Sequence, residues 1–163
     1  MAGILVTPKE ALMAMLAESA TFRAALGVST SADARLHIHY NRLVAFDHHA
    51  LRPYAIVATQ GGAWPVTSGG ARNHHLAEGT LWLYLSDRVR HADRDADARA
   101  FDTFAGGVLG DVADLSAEDD NLAIRDMTIE LPPVCYSVAM EDASDQGPEA
   151  EFWCMSLLVE WGA

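Results

Sequence analysis

The chain has 163 residues, of which 50% are hydrophobic and 21% are charged, a composition that is typical of a folded globular protein and excludes a disordered one. Its formal net charge of -12 excludes a direct binder of DNA or of anionic membranes, because phosphate binding needs clustered lysine and arginine. We predict one domain over residues 1–163 and no membrane span, since proline and glycine interrupt the longest charge-free stretch, 53–71.

The first predicted element is a helix over residues 7–26. Thr7 can cap its start, Pro8 suits the first helical position, and Glu10 completes a capping box. Apolar residues then recur at helical spacing as far as Gly27, which can close the helix in a left-handed conformation.

The segment 31–39 is ambiguous, because its apolar residues fit both an alternating strand and a helix. We favour a short helix there, followed by a loop through residues 47–49. The pattern of residues 53–59 predicts a strand. Residues 79–86 show the clearest strand pattern in the interior of the sequence. We interpret the segment between these two strands, 61–78, as a loop whose paired glycines form turns of a hairpin.

The second long helix is predicted over residues 95–115, where apolar residues form a broad stripe and three glycines permit close packing. A strand over 122–131 is expected to stop at Pro132-Pro133, and a short strand follows over 134–138. The acidic segment 140–150 reads as a solvated turn that leads to the last strand.

That last strand, 152–161, is the most hydrophobic β-segment of the chain. Alternation divides it into two largely apolar faces, so we expect protein to cover both of them. One face is predicted to pack on the helices, and it carries Trp153, Met155, Leu157, Val159 and Trp161. The other face carries Phe152, Cys154, Ser156, Leu158 and Glu160.

The order of these elements predicts an α+β fold in which a mostly antiparallel sheet packs one face against two long helices. The outer face of that sheet looks too apolar for water alone, so a partner should cover it. We therefore predict that Trp82, Tyr84, Phe152 and Leu158 contribute to a protein interface.

Catalytic and metal sites find little support in the sequence. His37 and His39 share a face only if their segment is a strand, in which case they could hold zinc with a third ligand. The adjacent pairs His48-His49 and His74-His75 have no ligand spacing, and no nucleophile motif or phosphate-binding loop is present. We expect no enzyme activity, no metal and no cofactor.

The two cysteines, Cys135 and Cys154, lie in separate β-like segments. They could pair with each other, but we favour two reduced, buried thiols, in keeping with the cytosolic character of the chain.

In the order of its elements the chain resembles the tail-terminator, or tail-completion, proteins of long-tailed bacteriophages. The resemblance rests on five features of the sequence. They are the opening helix 7–26, the segment 52–57 in which Arg52-Pro53 leads into a strand, the strand 79–85, the long helix 95–115 and the closing segment 157–162. It covers most of the chain.

The resemblance implies a homo-oligomeric ring, commonly a hexamer, that caps the tail tube and joins it to the head-tail connector protein. The partners would be further copies of this chain, the tail-tube protein and the connector, with DNA passing through without specific binding. Such a protein resides in the tail or neck of the virion and is assembled in the host cytoplasm. A different neck or tail-tube virion protein is the first alternative. A small metal-dependent enzyme using His37 and His39 is the second.

Overall fold

The fold is an α+β arrangement in which helices cover one face of a mixed, five-stranded sheet. The computed structural model describes residues 7–40, 52–60, 66–68, 74–76, 78–118, 123–138 and 150–162. The helices are α1 (Thr7–Glu18), α2 (Ala20–Leu26), α3 (Ser31–Arg35) and α4 (Arg94–Ala117), among the described residues. The strands there are β1 (Ile38–Tyr40), β2 (Tyr54–Thr59), β3 (Val66–Ser68), β4 (His74–Leu76), β5 (Glu78–Arg88), β6 (Ala123–Val138) and β7 (Ala150–Gly162).

The strand order of the main sheet is β1-β2-β5-β7-β6. β1 runs parallel to β2, and the other neighbouring pairs are antiparallel. β7 lies inside the sheet, between β5 and β6, so the last predicted strand is paired along both of its edges. β3 and β4 form a separate antiparallel pair within the segment 61–78, in agreement with the hairpin predicted there.

The hydrophobic core lies between the sheet and the helices. The predicted inner face of β7 is confirmed, because Met155, Leu157, Val159 and Trp161 are buried in this core and Trp153 packs against it. Leu81, Leu83 and Leu85 of β5 and Val57 of β2 lie in the same cluster, opposite α1 and α4. Burying a side chain of this kind contributes about 1.5–3 kcal/mol to stability.

The predicted α+β class is confirmed, but the finer prediction of two long helices against a mostly antiparallel sheet is only partly right. The predicted helix 7–26 is broken at Ser19 into α1 and α2, so α4 is the one long helix among the described residues. The sheet is mixed because residues 31–39 divide into α3 and β1, and β1 joins the sheet parallel to β2. Both alternatives for that segment are therefore partly right.

The break at Ser19 has a clear physical cause. The Ser19 hydroxyl caps α2 by accepting a hydrogen bond of 3.1 Å from the Phe22 amide, and it donates one of 2.7 Å to Asp111 on α4. The Thr21 amide donates to the same carboxylate oxygen at 2.9 Å. Asp111 thus accepts the hydrogen bonds that the start of α2 offers, and these bonds orient α2 against α4.

The strand β6 also differs from its prediction. Pro132-Pro133 does not stop it, and one strand continues from Ala123 to Val138. Proline is tolerated there because β6 is an edge strand of the described sheet, and the pairing with β7 shifts register between Leu131 and Val134. The predicted loop 47–49, the glycines of 61–62 and 69–70 and the acidic turn up to residue 149 lie outside the described residues.

The glycines of α4 differ in what surrounds them. A Cβ atom on Gly107 would lie 2.7 Å from Cγ2 of Thr21, so Gly107 permits the close approach of α2, as the sequence predicted. A Cβ atom on Gly110 would meet nothing within 4 Å.

We predict opposite outcomes for alanine at these two positions. Gly110→Ala should raise the free energy of unfolding by about 0.5–1 kcal/mol, because alanine favours the helix. Gly107→Ala should lower it by about 1 kcal/mol, because the clash with Thr21 outweighs that gain. Urea denaturation of both variants measures the difference. Equal stabilisation by the two substitutions would show that α2 does not pack closely on α4.

Candidate assembly surfaces

The outer face of the sheet is the face that points away from the helices. Its side chains come from four strands and align in rows that the strand register fixes. One row is Trp82–Leu158–Thr128, the next is Tyr84–Ser156–Leu131, the third is Ser86–Cys154–Val134, and the last is Arg88–Phe152–Tyr136. Tyr54 and Ile56 of β2 extend this face toward β1.

Side chains on the outer face are more deeply buried at one end of the strands than at the other. At the buried end, Phe152, Cys154 and Tyr54 are each 1% exposed. Trp82, Tyr84 and Leu158 are half-buried. Of the four predicted interface residues, Phe152 is therefore already covered within the single chain. Trp82, Tyr84 and Leu158 keep surface that a partner could contact, and their role at an interface stays a prediction.

The buried end of the outer face is organised around Arg52, a residue whose role the sequence did not reveal. Its side chain is 1% exposed, and the guanidinium carbon lies 4.0 Å from the ring centroid of Phe152. Its Nε donates to the Ser86 hydroxyl at 2.9 Å, and that hydroxyl donates to the Trp153 carbonyl at 2.9 Å. Arg52 thus links the segment before β2 to β5 and β7.

Burial also determines the protonation of the neighbouring groups. It raises the pKa values of the Tyr54 and Tyr84 hydroxyls and of the Cys154 thiol, so these groups are neutral at pH 7. Burial likewise raises the pKa of the Cys135 thiol. Both cysteines are free, as we predicted, but only Cys154 is buried, because Cys135 is partly exposed. They lie on opposite faces of the sheet because Cys135 pairs with Trp153 of β7. Neither thiol has the lowered pKa of a reactive cysteine.

A small cleft lies between the start of α4, the end of β5 and α2. Its volume is about 170 Å³, and Phe101, Phe104 and Trp153 are among its walls. Its polar groups bond to one another: Arg90 contacts both carboxylate oxygens of Asp87 at 3.0 Å. A cleft of this size is smaller than the roughly 300–1,000 Å³ of typical ligand sites. We therefore assign it to the packing of the fold.

Asp97 is the central acceptor beside this cleft. It is buried, and it accepts hydrogen bonds from the amides of Arg90 and His91, both at 2.9 Å, and from the Trp153 indole at 2.5 Å. Burial acts to raise the pKa of Asp97, but these three donors outweigh it and hold the pKa below its usual value. The charged carboxylate thus fastens α4 to β7.

The most exposed large hydrophobic side chains of the described residues lie elsewhere. Leu36, between α3 and β1, is 77% exposed; Ile129 and Tyr136, both on β6, are 53% and 44% exposed. Leu36 lies in the segment that was ambiguous between helix and strand, and Ile129 and Tyr136 lie in predicted strands. Only the sheet order shows that these segments lie at its edges.

The histidines considered as candidate metal ligands lie in different elements of secondary structure. His37 lies in the turn after α3, and His39 is in β1 with its ring edge-on to Tyr54 at 5.7 Å. His74 and His75 lie in β4, whereas His48 and His49 fall outside the described residues. Within the described ranges, no three His, Cys, Asp or Glu side chains are grouped so as to hold a metal ion.

Across the same ranges, no helix combines the length and the apolar composition that crossing a membrane requires. No protein-family model and no curated protein sequence matches this chain.

We predict that Asp97→Asn lowers the free energy of unfolding by about 1.5–3 kcal/mol at pH 7, the usual value of hydrogen bonds to a charged group. The folded-state pKa of Asp97 lies below its unfolded value, so this stabilisation is present above the unfolded pKa and is lost as pH falls through the folded one. The difference between variant and wild type should therefore shrink below about pH 4.

Urea denaturation at pH 7 and pH 3 measures this change. Asp95→Asn is the matched control, because Asp95 is an exposed acid in the same helical turn, and it should change stability by less than about 0.5 kcal/mol at either pH. A difference between Asp97→Asn and wild type that stays constant with pH would contradict the role of the charge.

Proposed function

We propose that this chain is a structural virion protein of a bacteriophage tail, and that it forms a homo-oligomeric ring. The ring caps the tail tube and joins it to the head-tail connector protein. The proposal rests on the resemblance to tail-terminator proteins together with the chemistry of the outer sheet face. It assigns the chain no catalytic role.

The observation that carries the proposal is the half-buried apolar strip on the outer face. Trp82 and Leu158 are cross-strand neighbours there, and Tyr84 extends the strip by one row. The rings of Trp82 and Tyr84 stack with centroids 5.5 Å apart, so the strip is ordered before any partner binds. Aromatic groups of this kind are enriched where proteins contact each other.

The charge of the chain supports the same function. The formal net charge of -12 would oppose the adhesion of DNA to a ring through which DNA must pass. Exposed acids occur on both the helical layer and the sheet; Asp102 and Asp114 lie on α4, and Glu130 and Glu160 lie on β6 and β7. An acidic lumen lets DNA slide through without specific contacts.

Two alternative functions can be distinguished from the proposed one by measurement. Another neck or tail-tube virion protein would share the apolar strip and the acidic surface, so only its position along the particle would distinguish it from a tail terminator. A metal-dependent enzyme would need His37 and His39 to meet a third ligand, and metal analysis of the purified protein would then find stoichiometric zinc or iron.

The proposal predicts a closed ring of identical subunits, which native mass spectrometry and particle images of the purified chain can detect. Antibodies against the chain should label intact virions at one place, the head-proximal end of the tail. Label along the whole tube would identify a tube subunit. A monomer at high concentration, or a chain absent from virions, would contradict the proposal.

We further predict that Leu158→Glu weakens the binding of the protein to isolated tail tubes, because a carboxylate would be buried against the apolar partner surface. The loss should be about 30-fold or more in affinity, as for the central residues of protein interfaces. Glu160→Gln is the matched control, since Glu160 is exposed on the same face two residues away. Binding that is unchanged by Leu158→Glu, measured by co-sedimentation with the tubes, would remove the outer face from this role.

A further inference from the structure

We infer that successive copies of this chain join head to tail through the two opposite edges of the sheet. The β6 edge patch, defined as Ile129 and Tyr136, packs against the β1 edge patch of the next copy, defined as Leu36. This inference rests on the proposed ring and names the surfaces that would form its contacts.

The first support is the position of the exposed apolar side chains. The most exposed large hydrophobic residues in the described ranges all lie at the two ends of the strand order β1-β2-β5-β7-β6. Leu36 is separated from the start of β1 by one residue, and Ile129 and Tyr136 belong to β6. Sheet edges are surfaces at which other chains associate, and apolar side chains exposed near both edges can contact a further copy.

The second support is the geometry of β6. Ile129 pairs with Leu157 and therefore projects on the helix side of the sheet, whereas Tyr136 pairs with Phe152 and projects on the outer side. A partner on either face of the sheet would cover only one of the two. A partner placed at the edge of β6 can contact both.

The third support is charge. Ile129 is followed by Glu130, an exposed acid, whereas Leu36 lies between Arg35 and His37. The Arg35 side chain pairs with Glu10 at 3.0 Å and is still 36% exposed, so it can contact a second carboxylate. An acid beside one patch and the partly exposed Arg35 beside the other favour the contact of unlike edges over the contact of like edges.

The two edges are also too different to replace each other. β1 has 3 residues, and β6 has 16. A two-fold symmetric pair of β6 edges would leave Leu36 exposed in both copies, whereas a head-to-tail contact covers both patches of every subunit once a ring closes. The outer face then remains available for the tail tube or the connector.

Mixing two complementary variants tests this arrangement. Leu36→Glu disables the β1 edge patch, and Ile129→Glu disables the β6 edge patch, so each variant alone should be a monomer in native mass spectrometry. In an equimolar mixture, the intact β6 edge of the first variant can bind the intact β1 edge of the second. We expect a heterodimer that grows no further, because both of its outer edges are disabled.

Ala113→Glu is the matched control, since it adds the same charge at an exposed position of α4, and it should keep the ring. Circular dichroism should show that the variants are folded, and Leu36→Ser with Ile129→Thr provides milder replacements if they are not. A wild-type ring that survives either glutamate substitution, or a mixture that stays monomeric, would overturn the edge contact and leave the proposed ring standing. A wild-type monomer would overturn both.

Discussion

The structure depends on the position of β7 between β5 and β6. β7 pairs with β5 from Phe152 to Gly162 and with β6 along most of its length, so its backbone groups are satisfied on both sides. Its inner face then completes the core against the helices, and its outer face places Cys154 and Phe152 beneath Arg52. Because one strand joins the two layers in this way, a charge on its inner face would disturb the core, whereas the surface at Leu158 can change without unfolding the chain.

Two carboxylates of α4 organise the helical layer: Asp111 holds α2 to α4, and Asp97 holds α4 to the sheet. Asp111 accepts from Ser19 and Thr21 and holds α2, and Asp97 accepts from the Trp153 indole and holds β7. Each acid is charged, and the pKa of each lies below its usual value, because its hydrogen-bond donors outweigh the effect of burial. Hydrogen bonds to a charged acceptor are about twice as strong as those between neutral groups. The layer therefore has directional contacts in addition to apolar packing, and these contacts fix where α2 begins.

Much of the fold could be predicted from local patterns. Alternation identified β5 and both faces of β7, and the apolar stripe identified α4, because these patterns record burial that is decided within one element. The break at Ser19 could not be predicted, since it depends on Asp111, which is 92 positions away in the chain. The continuity of β6 through Pro132-Pro133 depends on its place at the edge of the sheet, which no local pattern contains. The candidate site was predicted in part for the same reason: Trp82 and Leu158 follow from alternation, whereas the exposure of Leu36 and Ile129 follows only from the strand order.

The protection of β6 restricts the form that the proposed edge contact could take, because it disfavours open-ended backbone pairing. An edge strand of 16 residues is a hazard, because its unpaired backbone groups can recruit any other strand. Pro132 and Pro133 lack amide donors, and the exposed charges of Arg125 and Asp126 oppose a continuous pairing. These features block extended backbone pairing along β6 but leave the side chains of Ile129 and Tyr136 accessible. Recognition at this edge must then come from side-chain packing, which depends on the shape and charge of one particular partner surface. A contact of that kind has a defined angle, and a defined angle between unlike surfaces is what allows identical subunits to close a ring.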